Sequence, residues 1–595
     1  MQRTALPQYD RLSLLLWGAE MLNVRISILA LTFVALSACG SLKGSHIGDI
    51  SDCSDCHSGI EPIHPKLSAQ FDCVICHGGT QNGSSISKAH VAVPDNWAEI
   101  RGTALPPAPY GFIKDFAPDQ LAALDPAYLQ FNNPGDIRVA SKTCGVCHPE
   151  KVAAMPNSIM TTNAGHYYPT RFLAGLQNDR MAEVGAYPAT ATECDEAEGS
   201  VCNLTTLVPP SDAELQAAID SGDSADLKRV AYEHYLAKNC NTCHQAGYPK
   251  NNSPGLYRST GCTSCHMVYN KLGTYEGADP MMPRETPVYP GKHEITTAIP
   301  TEQCATCHFQ GGRIGLTYRG IREGGFGSSN TPPNAAFLNE TLYGHAPGYY
   351  LSDEDTTNSY DETPPDLHAA AGMHCVDCHV GVDVHGDTKI YSTSKQQIDI
   401  RCEDCHGDVR NAISANEGGA FVTSKGRRLP QLSKRSDGTI ILTGRVDGKE
   451  HVVPQPADML KEGGSATESM HIAMGEDRLG SSHADKLTCD TCHTSWTLKC
   501  IGCHVSLDLR LSQVDYQTGK SSSGLTRGSR SAYSLDTVLL AQGIDGRVQS
   551  AAPSQQVQMA IIGSSKFGTG EGELLMGESV DDGNGGTKIV GEFRH

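Results

Sequence analysis

Residues 489–504 read CDTCHTSWTLKCIGCH: one Cys-x-x-Cys-His group from Cys489 to His493, then a second from Cys500 to His504, with six residues between. Two thiols three positions apart, with a histidine directly after, fall within about one turn of chain. A rigid group can therefore be bonded through both sulfurs while the imidazole is brought beneath it. This is the attachment signature of a c-type haem, with two thioether bonds and a histidine ligand to the iron. It occurs ten times, here called motifs one to ten in chain order. Their cysteines and histidines are Cys53, Cys56 and His57; Cys73, Cys76 and His77; Cys144, Cys147 and His148; Cys240, Cys243 and His244; Cys262, Cys265 and His266; Cys304, Cys307 and His308; Cys375, Cys378 and His379; Cys402, Cys405 and His406; Cys489, Cys492 and His493; and Cys500, Cys503 and His504. Random order at these cysteine and histidine frequencies yields roughly 0.04 matches.

Zinc is the bland alternative, since Cys-x-x-Cys clips also build ribbons and knuckles. A zinc site pairs two clips and has no use for a histidine after every one. A thioredoxin-type dithiol occurs once, not ten times. Ten covalent haem c groups are the expected cofactors.

The 595 residues can hold three or four ordinary domains, yet only 39% are hydrophobic, and Gly (61) and Pro (32) are abundant. Such a chain is poor in continuous core, and tethered porphyrins would replace the missing apolar interior. The expected fold is a mostly irregular chain with short α-helices wrapped round a haem array, plus β-rich segments near 420–455 and 508–595. The formal charge of −20 argues against nucleic acid, which wants a basic face, and suits cationic or metal-oxide partners.

Of 23 cysteines the motifs use all but Cys39, Cys194 and Cys202. Cys194 and Cys202 flank a short acidic segment and are expected to close a disulfide loop, with two free thiols as the alternative. Cys39 belongs to a different pattern. From Met21 the chain reads MLNVRISILALTFVALSACGS, with Arg25 as the positive region, Ile26 to Ala35 as a short apolar run and Ala38 before Cys39. Leu36 to Cys39 resembles a bacterial lipoprotein processing site. Residues 1–38 are thus expected to be a signal peptide starting at Met21, and Cys39 a lipid anchor. Gly40 lacks the aspartate that favours inner-membrane retention, so the outer membrane is the expected location. An ordinary cleaved leader would instead leave Cys39 free.

The expected organisation follows the motifs. Residues 39–100 carry motifs one and two, and 101–235 carry motif three with a linker and an acidic insertion. Residues 236–310 carry motifs four to six; 311–410 carry loops with motifs seven and eight. Residues 411–465 form a β-hairpin insertion, signalled by Asp-Gly turns at Asp437 and Asp447 flanking TIILT. Residues 466–507 carry motifs nine and ten, and 508–595 form a haem-free β-rich tail. Ser211 and Glu214 read as a helix capping box. The glycine-rich run GGRIGLTYRGIREGGFG lacks the strand and lysine of a phosphate loop and reads as chain packed close over a haem. No fixed-period repeat is present.

The ten motifs use ten of 24 histidines. His46, His234, His368 and His483 each precede a motif by six or seven residues. His64, His90, His166, His293, His374, His385 and His471 also lie near motifs, while His345 and His451 are reserves. Enough candidates exist for a second histidine on every iron, and Met267 is an alternative ligand that would raise a potential.

The segments DETPPDLH and GMHCVDCHVGVDVHGD within 361–387, and CHTSWTLKCIGCHV at 492–505, resemble outer-surface multihaem cytochromes c of bacteria. That resemblance covers roughly residues 50–507. It implies haem attachment after export and electron conduction along closely stacked haems to or from metal oxides, electrodes or other cytochromes, with an outer-membrane porin as a further partner. Two other readings stand beside it. One is a multihaem reductase of a small nitrogen or sulfur oxyanion, which needs an open sixth position on one iron and often Cys-x-x-Cys-Lys, absent here. The other is the subunit of a cytochrome filament, in which a histidine of one copy ligates a haem of the next.

Overall fold

The computed structural model describes residues 52–64, 72–95, 125–245, 249, 257–285, 289–308, 314–320, 322–323, 349–350, 364–379, 381–475, 480–516, 521–535, 539–543, 545–551, 556–563, 573–576, 578–581 and 587–590. The leader, Cys39, His46, His345, the acidic loop and about half of the glycine-rich run lie outside them. Among the described residues no helix is long and apolar enough to cross a membrane.

Short helical turns recur at the motifs. They include Cys53–Asp55, Cys73–His77, Cys144–Val146, Asn241–Cys243, Thr263–His266, Thr301–His308, Cys375–Cys378, Cys402–His406 and Asp490–His493. The histidine N–H closes the turn on the first cysteine's carbonyl: His57 to Cys53 at 3.0 Å, His148 to Cys144 at 2.8 Å, His379 to Cys375 at 2.9 Å. Positions i, i+3 and i+4 of such a turn share one face, which gathers both thiols and the imidazole. Local sequence helps. An aspartate just before the second cysteine returns its carboxylate to the N–H that opens the turn: Asp377 to His374 N and Asp404 to Arg401 N, both at 2.7 Å.

Four helices matter for the site: α1 (Pro126–Asn132), α2 (Asp212–Ser221), α3 (Ser224–Tyr235) and α4 (Thr301–His308). The Ser211 hydroxyl accepts from Glu214 N at 3.2 Å, and the Glu214 carboxylate accepts from Ser211 N at 2.8 Å, so the capping box forms. Helix α2 ends at Gly222, whose φ of 68° suits a residue without Cβ. On α3, Leu227, Val230 and Ala231 recur at helical spacing and are buried with Leu507, Met559 and Ile561 in the largest apolar cluster.

Two sheets flank the motif region. Strands β1 (Leu432–Lys434), β2 (Ile440–Thr443) and β3 (Glu450–Val452) form an antiparallel sheet in the order β3-β2-β1, with Leu432 opposite Leu442. Its turns are held as the Asp-Gly pairs predict: Asp437 accepts from Thr439 N at 2.9 Å, and Asp447 from Lys449 N at 3.0 Å. Phe421, Leu429, Leu432, Ile440 and Leu442 bury against Cys405 and Met373, which seats the sheet on motif eight. Further on, β4 (Thr497–Val514), β5 (Ser521–Leu535), β6 (Gln556–Ile562) and β7 (Glu573–Met576) are ordered β5-β4-β6-β7, β4 pairing antiparallel to β5 and parallel to β6.

This second sheet begins earlier than the expected residue 508, and the difference falls on motif ten. Cys500, Cys503 and His504 lie within β4, opposite Ala532, Arg530 and Ser529 of β5, with a register shift between Cys500 and Gly502. An extended chain rises about 3.3 Å per residue, so two cysteines three apart are separated by about 10 Å along the strand. The helical turn seen at the other motifs is not adopted here. β-branched and apolar residues around this motif, in TLKCIGCHVSLDL, favour the strand.

Cys194 and Cys202 are disulfide-bonded around the turn Glu196–Glu198, with Cα atoms 5.1 Å apart.

Candidate metal centres

Five histidines of the motifs each face a histidine from elsewhere in the chain. His57 faces His90 at 6.2 Å between ring centroids, His77 faces His293 at 6.0 Å, and His244 faces His166 at 5.5 Å. His266 faces His385 at 6.0 Å, and His406 faces His368 at 6.1 Å. A metal–imidazole bond is about 2.0 Å, so two rings on opposite sides of one ion stand with centroids about 6 Å apart. All five pairs have that separation.

Seven of these ten rings have Nδ1 tied down. His57 Nδ1 meets the buried Asp279 carboxylate at 2.7 Å. His77 Nδ1 donates to the Phe131 carbonyl of α1 at 2.8 Å, His266 Nδ1 to Thr296 O at 2.8 Å and His406 Nδ1 to Pro454 O at 2.9 Å. Across from them, His293 Nδ1 donates to Glu61 O at 3.1 Å, His385 Nδ1 to Gly381 O at 3.0 Å, and His368 Nδ1 meets Asp366 at 2.8 Å. With the proton held on Nδ1, Nε2 keeps its lone pair for a metal and the ring cannot turn. Burial adds to this by disfavouring the imidazolium. His77 and His385 are each pushed down to about 4, and His90, His266, His293 and His406 are lowered by the same cause. His368 is raised instead, because Asp366 stabilises its charged form.

Other candidates divide. His379 Nδ1 meets Asp383 at 3.2 Å in the same manner, beside a cleft lined by Arg427, Arg428 and Arg445, cations that suit haem propionates. His234 is fully buried on α3, and neither ring nitrogen has a hydrogen-bond partner among the described residues. Burial pushes it down to about 3, so it stays a neutral donor. His471 and His483 are exposed on Glu468–Met474 and His483–Asp485, just ahead of motif nine, and His64 is half-buried near motif one. His148, His308 and His493 are exposed at the ends of their turns, and no ring geometry is described for His504.

His374 departs from the set. Its Nδ1 accepts from Thr301 N at 3.1 Å, which puts the proton on Nε2 and removes that nitrogen as a ligand. Its place in the sequence, one residue before Cys375, gave no warning. Met267 is buried and follows His266, whose opposite position is already taken by His385. Sequence reading also missed the anchors: Asp279, Glu61, Thr296 and Pro454 lie outside every motif, and no spacing rule connects them to the histidines they hold.

Residues 341–407 match the protein-family model of cytochrome c554 and c-prime, a span that contains motifs seven and eight, His368 and His385. This part of the chain is cytochrome c-like. The match points to a c-type cytochrome with covalently bound haem c and a role in electron transfer. No curated protein and no solved structure matches. The residues fit the group: helical turns gather two thiols and one imidazole, and the opposed imidazoles, most with Nδ1 anchored, would offer a nitrogen donor from each side.

Proposed function

We propose that the chain is a ten-haem electron carrier of the bacterial outer membrane, exchanging electrons with metal oxides, an electrode or partner cytochromes. The observation that carries this reading is the set of five opposed histidine pairs. Covalently bound haem c supplies one-electron chemistry at iron. The chain's own part would be to offer an imidazole nitrogen from each side of the group, leaving no open place for a small substrate there. Bis-histidine ligation lacks the methionine that raises potential, so the potentials lie low. The net charge of −20 and the Leu36–Cys39 processing pattern support an exported protein tethered by lipid, with a porin among its neighbours.

Spectroelectrochemical titration of the purified full chain tests the reading. Reversible uptake of about ten electrons over a broad low range is expected from ten covalent haems with histidine ligands. Saturable turnover of nitrite, hydroxylamine or a sulfur oxyanion would overturn it in favour of a reductase. For the location, Cys39→Ser should move the protein from the membrane fraction to the soluble one; unchanged membrane association would refute the lipid anchor.

A further inference from the structure

Neighbouring motifs touch through their cysteines, and the contacts do not follow chain order. The Cys53 and Cys73 thiols hydrogen-bond, joining motifs one and two. Gln130 of α1 donates to Cys76 O at 3.1 Å, and Cys76 lies within electrostatic range of Cys144 and Cys147 of motif three. From there the chain of contacts skips motif four. The Cys144 thiol hydrogen-bonds that of Cys262, and Cys262 N donates to Gly135 O at 2.7 Å, joining motif three to motif five. Motif five meets motif six: Gln303 of α4 donates to Ser264 O at 2.5 Å, and Cys265 lies within range of Cys304.

Motif six then makes two further contacts. On one side the Cys304 thiol hydrogen-bonds that of Cys375, beside Thr301 N on His374 Nδ1 at 3.1 Å, leading to motif seven. On the other, Cys307 Sγ donates to Cys243 O at 3.2 Å, and the two thiols also hydrogen-bond, leading to motif four. Motif four also borders motif five: Gln245 reaches Cys265 Sγ at 3.8 Å, Gly261 N donates to Gln245 O at 3.0 Å, and Arg258 donates to Thr242 O at 2.6 Å, while its direct thiol contact is to Cys307. Beyond motif seven, Cys378 packs against the apolar cluster that buries Cys405 of motif eight. The Cys402 and Cys489 sulfurs then approach within 4.8 Å, joining motifs eight and nine.

We infer that motifs one to nine form a forked array: a main line one-two-three-five-six-seven-eight-nine, with motif four as a side arm seated against motifs five and six, its thiol contact being with six. Each haem would be held at its thioether edge, so motifs whose sulfurs touch would bring those edges close enough for direct electron exchange. Such an array has three ends rather than two. The side arm ends beneath the C-terminal sheet, where Lys238 and Asn239, just ahead of Cys240, bond the Gly524 carbonyl and the Thr526 hydroxyl of β5. This rests on the reading of the motifs as haem-bearing.

The test compares two double variants of the full chain adsorbed on an electrode, with haem content counted by haemochrome assay. Cys240→Ala/Cys243→Ala should lose one haem and only that haem's share of the redox charge. Cys304→Ala/Cys307→Ala should also lose one haem, but more than one haem's share of the charge, because the array is cut at its junction. If the first variant loses more charge than haem, motif four lies in line and the fork is wrong. Equal single-haem losses in both would also overturn it, since motif six would then join nothing. A structure of the haem-loaded chain by electron cryomicroscopy gives a readout independent of conduction. Three edge contacts at the haem of Cys304 and Cys307 are expected; two would refute the fork. Failure of the wild type to exchange electrons with the electrode would sink the carrier reading while leaving that structural map to judge the fork.

Discussion

His266 and His385 stand opposite each other, with ring centroids 6.0 Å apart and planes 3° from parallel. One belongs to motif five and the other follows motif seven, so the pair ties two distant parts of the chain to one centre. Replacing His385 with Ala should convert one haem from low-spin to high-spin and open it to carbon monoxide, with haem content unchanged. An unaltered low-spin spectrum would show that another group ligates the iron of motif five.

The ring planes differ from pair to pair, and this is measurable. His166 and His244 are nearly perpendicular at 89°, in contrast to His266 and His385. Perpendicular axial imidazoles give strongly anisotropic low-spin signals, and parallel ones give rhombic signals. Electron-spin resonance of the oxidised wild type should therefore contain both. His166→Ala should remove the anisotropic component and leave the rhombic one. Loss of the rhombic component instead would contradict the pairing.

Two neighbouring histidines make a sharper contrast. His368 faces His406 with Nδ1 bonded to Asp366, whereas His374 accepts a backbone N–H on Nδ1. His368→Ala should create one high-spin haem. His374→Ala should leave every haem low-spin and act only on the turn that carries Cys375 and its contact with α4. A high-spin centre in the His374 variant would reverse the assignment.

These two histidines also show where sequence reading stops. Motifs, capping box and Asp-Gly turns were legible because each is a local rule: the bonds that satisfy Ser211, Asp437 and Asp447 reach two or three residues. The turns that gather two thiols and a histidine were legible for the same reason. Partners were not, because His77 meets His293 and His266 meets His385 across hundreds or scores of residues, through loops with no periodic pattern. His368 and His374 lie seven residues and one residue ahead of Cys375, and it is the N–H of Thr301, not the spacing, that separates their roles. Motif ten is the reverse case. Its spacing predicts a turn, yet pairing with β5 and β6 holds the same residues extended, a tertiary preference stronger than the local one.

Lys238 makes a prediction about the sheet that covers motif four. It is fully buried, and its Nζ donates to the Ser523 carbonyl at 2.8 Å and to Gly524 O at 2.7 Å. Burial pushes it down to about 8. Between pH 8 and the ordinary lysine value the unfolded chain holds more protons than the folded one, so stability should rise with pH over that window. Below about pH 8 the cost of the buried charge is present in full. Lys238→Met should abolish the rise; at neutral pH the relief of the buried charge opposes the cost of about 1–3 kcal/mol for leaving carbonyls unpaired, so the lost pH dependence is the readout. Amide exchange in β4 and β5 across this pH range checks both.

The account stands most directly on the coordination of the irons in the untouched protein. Haem content by pyridine haemochrome, taken with the electronic and electron-spin resonance spectra of the same oxidised sample, measures it. The account predicts about ten covalent haems per chain, low-spin and six-coordinate, with no binding of carbon monoxide or nitrite. A high-spin fraction in the wild type that binds nitrite and turns it over would contradict it.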